Sequence, residues 1–502
     1  MGALADYLSS GSVNAGMCMY VSELELVSSV SPSVAGRIVH ELKDQRTHLK
    51  LIASENFSSL PVQAAMGNLL TDKYSEGFPY HRFYAGCENV DAIETEAAEA
   101  AKRLFGAEHA YVQPHSGADA NLCAYWAILN TKVQIPALEE MGVTNIAHMS
   151  TEDWNKIREA THNQRLLGLD YYSGGHLTHG YRQNISAQLF ESHSYSVDKE
   201  TGYLDYDAIE KQAEEVKPLI LLAGYSAYPR AINFHRMADI AHKVGAVFMV
   251  DMAHFAGLVA GKVFEGDYNP VLWADVVTST THKTLRGPRG GLVLCKEEFK
   301  ESVDKGCPLV IGGPLPQVMA AKALAFREAE KPEFQAYAAA IVENARALAQ
   351  DFIDEGVRIL TGGTDNHLML LDVAPFGLNG RQAESLLREA GITLNRNALP
   401  FDPNGPWYTS GLRIGTAAVT TLGMGTADMK EIADIITMVL KNARPVVLTK
   451  GEKAGQKSKN KAKAPLAVMD EARSRVVALL DKNKLYPDLD LAFLEEHFPL
   501  VD

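Results

Sequence analysis

Between Val216 and Leu294 the chain repeats one phrase, and this repetition constrains its fold more than any other feature. A short apolar, β-branched run is followed by a polar residue and then by a helical stretch leading to the next run. The runs are Leu219 to Ala223, Ala246 to Val250, Asp275 to Thr278 and Leu292 to Leu294, with room for a crossover helix between the first three. They are continuous rather than alternating, so both faces of each strand are buried, which predicts a mostly parallel sheet covered by helices. Ligands of such sheets sit at the carboxyl ends of the strands. Ser226, Asp251 and Lys283 fall just past three of those ends and are the first candidates for chemistry.

The rest of the chain frames that α/β unit. After Pro332 the pattern changes to long amphipathic helices (Glu333 to Glu355, Gly380 to Ala390, Met429 to Leu440) with short strands near His367 to Val373 and Gly411 to Gly415. This predicts a second, smaller α+β domain. We expect an N-terminal arm over 1–65, a large domain over 66–325 with a polar helical insertion at about 131–165, and a C-terminal domain over 326–502. The Lys-rich segment 441–463, with Lys457, Lys459, Lys461 and Lys463 on alternate residues, reads as a solvated loop, with an anion-binding or RNA-binding patch as the other reading. Met1 to Val30 contains no Arg or Lys, unlike a secretory or mitochondrial leader, and reads as a frayed arm.

Charge and cysteine usage narrow the partner. A net charge of −14 over 502 residues repels phosphate backbones, so nucleic acid is not the expected principal ligand. No window approaches the length of an apolar spanning helix, so no membrane partner is expected. The five cysteines, without a C-x-x-C pair, form neither a disulfide framework nor a zinc spacing, which fits a reducing, cytoplasmic compartment. A small-molecule ligand remains.

Lys283 lies in Thr278-Ser279-Thr280-Thr281-His282-Lys283-Thr284, with Gly287, Pro288, Gly290 and Gly291 close behind and Asp251 on the neighbouring strand end. An isolated lysine is usually a surface charge. An amine held near a carboxylate is also what a Schiff-base enzyme needs to bind pyridoxal phosphate and keep its ring nitrogen protonated. Ser116 in Gln113-Pro114-His115-Ser116-Gly117-Ala118 is an N-cap candidate, and Gly117 permits close backbone approach by a phosphate; a plain capped helix is the alternative. In Gly174-Gly175-His176-Leu177-Thr178-His179-Gly180 a histidine could stack on a flat cofactor. Metal ligation there lacks a carboxylate or Cys at the right spacing, so no metal is expected.

Together these phrases resemble the serine hydroxymethyltransferase family of fold-type I pyridoxal-phosphate enzymes. LIASENF (Leu51 to Phe57), VQPHSGADAN (Val112 to Asn121), GGHLTHG (Gly174 to Gly180), VDMAHFAGLVA (Val250 to Ala260), VVTSTTHKTLRGPRGG (Val276 to Gly291), GGTDNHL (Gly362 to Leu368) and TSGLRIGT (Thr409 to Thr416) occur in the family's order, from about 35 to 440. The resemblance implies a seven-stranded-type sheet in the large domain. It also implies conversion of L-serine and tetrahydrofolate to glycine and 5,10-methylenetetrahydrofolate.

Carried over residue by residue, the resemblance makes Lys283 the covalent anchor of pyridoxal phosphate and Asp251 the partner of its ring nitrogen. His176 would stack on the ring, and Ser116, Gly117 and Ala118 would hold the phosphate. His254 and Ser226 would lie near the phenolic oxygen. Gly312, Gly313 and Tyr74 would reach a phosphate across a dimer interface. Arg413, aided by Ser54, would clamp the substrate carboxylate, while Glu76 would shuttle a proton at the hydroxymethyl group with Tyr84 lining the same pocket. Folate would meet Tyr171, Gly175, His176, Leu177, Asn397, Gly405, Pro406 and Trp407. The resemblance further implies a homodimer with shared sites, or a tetramer built from such dimers.

Three places depart from the family's pattern. Tyr80 stands in Phe78-Pro79-Tyr80-His81-Arg82 where the family has a small glycine-type residue. Tyr171-Tyr172-Ser173 replaces Leu-Ala-His, and Trp407 stands where a folate-contacting tripeptide ends in Phe. These changes reshape the expected folate pocket without touching Lys283. They keep open a folate-independent aldolase or racemase of the same cofactor class, and side activities such as alanine racemisation or aldol cleavage of 3-hydroxy amino acids. An RNA-binding protein on the same fold is the reading from another class.

Overall fold

The computed structural model describes residues 2–11, 13–143, 146–450 and 454–501. Its large domain is built on seven strands: β1 (His109–Tyr111), β2 (Arg165–Leu169), β3 (Glu191–Tyr195), β4 (Ile220–Gly224), β5 (Val247–Asp251), β6 (Val276–Thr280) and β7 (Gly291–Cys295). They lie side by side in the order β1-β7-β6-β5-β4-β2-β3. Every residue of β4, β5, β6 and β7 is buried, as the apolar runs of β4, β5 and β7 predict; β6 adds Thr278, Ser279 and Thr280, which are buried and polar. One core packs Leu221, Phe248 and Val250 on one face of the sheet, and another packs Ile220, Leu222 and Met249 on the other. The sheet is parallel except for β7, which runs antiparallel to both β6 and β1. The loop between β6 and β7 is too short for the helical crossover that a parallel return needs. Register then sets the site: Gly224 stands beside Asp251, and Asp251 beside Thr278, so three strand ends open at one level.

Helices surround this sheet and its smaller companion. Among them are α1 (Ala15–Val30), α2 (Pro32–Thr47), α3 (Glu88–Phe105), α4 (Gly117–Leu129), α5 (Thr151–His162), α6 (Pro316–Ala329), α7 (Pro332–Asp354), α8 (Gly380–Glu389), α9 (Thr426–Asn442) and α10 (Leu466–Lys482). Among the described residues no helix is long and apolar enough to cross a membrane. The second sheet has the order β8-β9-β11-β10, from β8 (Arg358–Ile359), β9 (Leu368–Asp372), β10 (Asn395–Asn397) and β11 (Gly411–Gly415). Its core joins Met369, Leu371, Leu412 and Ile414 to residues of α7, α8, α9 and α10. The expected insertion is helical, as its composition suggested, and includes α5; Thr144 and Asn145 lie outside the described residues.

Two expectations are corrected. The segment read as a frayed arm is helical, and Met17, Val21, Leu24, Ala35 and Val39 pack with Leu489, Leu494 and Phe498 from the far end of the chain. The amphipathic signal there was weak because the burying partner is distant in sequence. The Lys-rich segment is not a plain loop: Lys457–Lys463 forms strand β13, paired antiparallel with β12 (Arg444–Val447). Alternate residues of a strand share a face, so its four lysines line one face of the hairpin, all exposed. Residues 451–453 of that segment are outside the described residues.

Candidate active site

A cavity of about 350 Å³ lies where the strand ends of the large sheet meet β10 and β11 of the small one. Its lining includes Ser54, Tyr171, Gly175, His176, Leu177, Ser226, His254, Lys283, Asn397, Pro406 and Arg413. Asp251 ends β5 and anchors the polar network at its floor. Its Oδ2 accepts from Asn121 Nδ2 at 2.9 Å and lies 3.3 Å from His179 Nε2, while Oδ1 accepts from the Ala253 amide at 3.0 Å. Burial alone would raise its pKa, but the interaction with His179 and the hydrogen bond from Asn121 outweigh it, so the carboxyl stays anionic. A carboxylate offers about four lone-pair directions, so one remains for a further N–H.

Lys283 sits in the turn after β6, with Nζ donating to Thr280 Oγ1 at 3.2 Å. Burial brings its pKa down to about 8, opposed by Asp251 and assisted by Arg413 and Arg289. His176, with Nδ1 2.7 Å from Thr178 Oγ1, is held down to about 4, mainly by burial. His254 is also pushed well below its usual range by burial and by the charges of Lys283 and Arg413; its Nδ1 lies 3.2 Å from His367 Nε2. Both rings are therefore neutral, with flat, uncharged faces.

Arg413, on β11, is the cavity's buried cation. Its Nε donates to Asn395 Oδ1 at 3.1 Å and its Nη1 to the Ser226 carbonyl at 2.6 Å. Burial brings it to about 10, against an opposing pull from Tyr171. No carboxylate among the described residues lies within ion-pair distance of it. The remaining N–H groups thus offer a ligand carboxylate the planar fork that guanidinium provides.

The helix N-terminus at the other end of the floor is built as its sequence predicts. Ser116 caps α4 by accepting from the Asp119 amide at 3.1 Å. A Cβ on Gly117 would stand 2.7 Å from Thr280 Cγ2, so only glycine fits there. Nε2 of His115, just before the cap, is buried without a hydrogen-bond partner among the described residues. Free amides in the first turn, including that of Ala118, suit an anion.

The expected residues fall into two groups. Ser116, Gly117, Ala118 and Asp251 lie behind the lining and connect to it through Thr280, Thr178 and His179, whereas Glu76, Tyr74, Tyr84, Gly312 and Gly313 neither line the cavity nor join that network. Tyr74 packs at a tilt against Tyr84, with ring centroids 4.8 Å apart, its hydroxyl lies 3.4 Å from Glu76 Oε1, and its ring covers Gly313. Tyr74 is 54% exposed, so this cluster faces outward. The expectation that Glu76 and Tyr84 share a pocket with Lys283 does not hold within one chain. Gly405 and Trp407 flank the cavity without lining it; Trp407 lies under the guanidinium groups of Arg381 and Arg396, at 4.5 and 5.2 Å. Tyr80 adopts φ 64°, the left-handed conformation that glycine enters at no steric cost.

Sequence reasoning passed over Asn121, Thr178, His179 and Thr278, which knit the floor together. Asn121 donates to Thr178 Oγ1 at 2.7 Å as well as to Asp251, and its Oδ1 accepts from Thr278 Oγ1 at 2.5 Å. Asn121 stands four residues after Gly117, one turn along the same helix face, and that spacing was available as a signal. His367 and Asn395 left none, because each acts through a neighbour far away in the chain.

An amine drawn toward neutrality at one strand end and a carboxylate kept anionic at the next answer to two atoms of one cofactor, the aldehyde carbon and ring nitrogen of pyridoxal phosphate. Fold and site thus define a fold-type I pyridoxal-phosphate enzyme. A family model described as Serine hydroxymethyltransferase matches residues 27–163 and 147–436. The serine hydroxymethyltransferase of Treponema pallidum (strain Nichols) is 61% identical over 499 residues, 99% of this chain and 86% of the relative. Those of Salinispora tropica and Mycolicibacterium smegmatis are 55% identical over 479 residues and 54% over 491, covering 95% and 97% of this chain and 99% and 96% of the relatives. The chain belongs to the serine hydroxymethyltransferase family, whose members depend on pyridoxal phosphate and use tetrahydrofolate as co-substrate.

Proposed function

We propose that this cavity carries out the family's reaction, interconverting L-serine and glycine while passing one carbon between the amino acid and tetrahydrofolate. The observation that carries the reading is that Lys283 and carboxylate-free Arg413 line one cavity, with anionic Asp251 close enough to act on Lys283 by its charge. Pyridoxal phosphate, when bound, supplies an electron-accepting ring for the charge left when a bond to the α-carbon breaks. Lys283 would hold it covalently, and its lowered pKa makes the neutral, nucleophilic amine accessible near neutral pH. Asp251 would accept a hydrogen bond from the ring nitrogen and keep it protonated. His176 would present a neutral face to the ring, His254 and Ser226 would border it, and Ser116, Gly117 and Ala118 would cradle the phosphate.

Arg413 would fix the amino-acid carboxylate, with Ser54 beside it, so that the bond to be broken is oriented against the ring. Glu76 would move the proton at the hydroxymethyl oxygen. Since Glu76, Tyr74, Tyr84, Gly312 and Gly313 stand outside this chain's cavity, they would act on the site of a second copy, which supports a homodimer as the smallest competent unit. Folate would enter along Tyr171, Gly175, Leu177, Asn397 and Pro406, with Gly405 and Trp407 at the rim. The N-terminal helices, the large and small domains and a cytoplasmic location complete the reading; five free cysteines support the last.

The test is direct: incubate purified protein with serine and pyridoxal phosphate, with and without tetrahydrofolate, and quantify glycine. Folate-dependent glycine formation is the expected result. Serine cleavage indifferent to tetrahydrofolate would favour the folate-independent aldolase or racemase instead.

A further inference from the structure

Lys322 lies on α6, is 1% exposed, and takes no part in the chemistry above. Its Nζ is 2.5 Å from the Val112 carbonyl oxygen, 2.9 Å from that of Pro114 and 2.8 Å from that of Gly291. Three acceptors call for three N–H donors and a neutral amine has two, so the three carbonyls favour the ammonium form against burial, which pulls the pKa down to about 7. No carboxylate among the described residues pairs with it. A buried charge without an ion-pair partner is rare in proteins and persists only when something holds it.

What holds it is a place where two strands part. Strands β1 and β7 pair as far as Tyr111 and Val293. Beyond that point the chain after β1 turns away toward Ser116, and carbonyls that would have continued the ladder converge instead. Pro114 O still accepts from the Gly291 amide at 2.8 Å. Gly290 and Gly291 end the loop that carries Lys283, and both are pressed close: a Cβ on Gly290 would stand 2.4 Å from Lys322 Cε, and one on Gly291 2.2 Å from Ser116 O. Lys322 therefore touches the two segments whose relative position sets the distance from the helix cap to the Lys283 amine.

Carbonyl oxygens converging on one point replace the hydration shell of a monovalent cation. We propose that Lys322 is a tethered monovalent cation: its ammonium fills a three-carbonyl site that locks the Ser116 cradle to the Lys283 loop, and free ammonium ion can replace it. Lys322 is thus a positioning residue, and this inference rests on the reading that cradle and loop hold pyridoxal phosphate.

The experiment compares Lys322→Ala, which opens the site, with Lys322→Met, which fills it without charge. Pyridoxal phosphate is titrated into each apo-protein, and apo melting temperatures are recorded, in ammonium chloride and in tetramethylammonium chloride of equal ionic strength. Both variants should bind the cofactor about tenfold or more weakly. In Lys322→Ala, ammonium should restore affinity saturably and raise the apo melting temperature; tetramethylammonium, too large for the site, should do neither. Lys322→Met should ignore both ions.

Unchanged cofactor affinity in both variants, or no ammonium response in Lys322→Ala, would overturn the proposal. So would an equal response to both ions, an ammonium response in Lys322→Met, or failure of both variants to fold with ammonium present. Borohydride labelling of the wild-type holoenzyme separates the two readings. A label away from Lys283 refutes the cofactor reading, whereas the apo melting response judges Lys322 alone.

Discussion

Replacing Arg413 by lysine keeps the charge in the cavity and removes the fork. In the native site Nε and one Nη1 hydrogen are committed to Asn395 Oδ1 and the Ser226 carbonyl, which fixes the guanidinium plane and leaves the other N–H groups for a carboxylate. Hydrogen bonds to charged groups are worth about 1.5–3 kcal/mol each. A lysine at this site recovers at most one of the two bonds to the substrate and is not held in plane. It also deprives Asn395 and Ser226 of their donor, so part of its hydrogen-bonding capacity is drawn back to them. The expected loss in serine affinity is about 2–4 kcal/mol, or roughly 30- to 1,000-fold in Kd. Serine and glycine titrations followed through the cofactor's absorbance would measure it, with cofactor content checked in parallel. Cofactor retention should be unchanged, because Arg413 contacts neither Asp251 nor the α4 cap. Unaltered serine affinity in a fully loaded Arg413→Lys protein would refute the carboxylate assignment.

Three further outcomes follow from the same geometry. Because Lys283 is brought down to about 8, the rate at which apo-protein captures pyridoxal phosphate should rise with pH to a midpoint near that value; a midpoint near an ordinary lysine would contradict the burial argument. Arg82, whose side chain is 3% exposed, donates to Asp91 at 2.8 Å and Glu94 at 2.6 Å and to the carbonyls of Ser75 and Gly77 on either side of Glu76. Arg82→Ala strands two carboxylates and should cost about 3–5 kcal/mol of stability in denaturant unfolding, with Arg82→Lys recovering part of it. Tyr171 lines the cavity and lies 5.1 Å from the Tyr181 ring. If it crowds the folate at a cost of about 1–3 kcal/mol, Tyr171→Leu should raise folate-dependent cleavage relative to alanine racemisation, and an unchanged ratio of the two rates would clear Tyr171 of that role.

Where the physics is local, the sequence was legible. Apolar runs gave β4, β5 and β7 within one residue at each end and β6 within two, because burial on both faces leaves little room for exposed polar composition. Ser116 and Gly117 announced a capped helix through backbone requirements that few residue types meet. The strand ends pointed to Lys283 and Asp251, and family phrases then supplied their roles and Arg413. The hairpin hidden in the Lys-rich segment was less legible, since lysine is a poor strand former and the pairing depends on β12. Likewise, α1 showed little amphipathic pattern and became a packed helix only against residues near 489–498.

By itself, then, the sequence determined the covered sheet, the strand ends that open on the cavity, and the residue types able to hold a cofactor and a carboxylate. Tertiary structure alone decided which of them meet. It joined Asn121 to Asp251, brought the Ser226 carbonyl to Arg413, and set Glu76 and Tyr84 outside this chain's own cavity. It also gathered three carbonyls around Lys322. The reason is physical: periodicity and capping act over one or two turns of chain, whereas hydrogen bonds, burial and charge act over a few ångströms of space. A site built from residues as far apart as Ser54 and Arg413 exists only after the chain has closed.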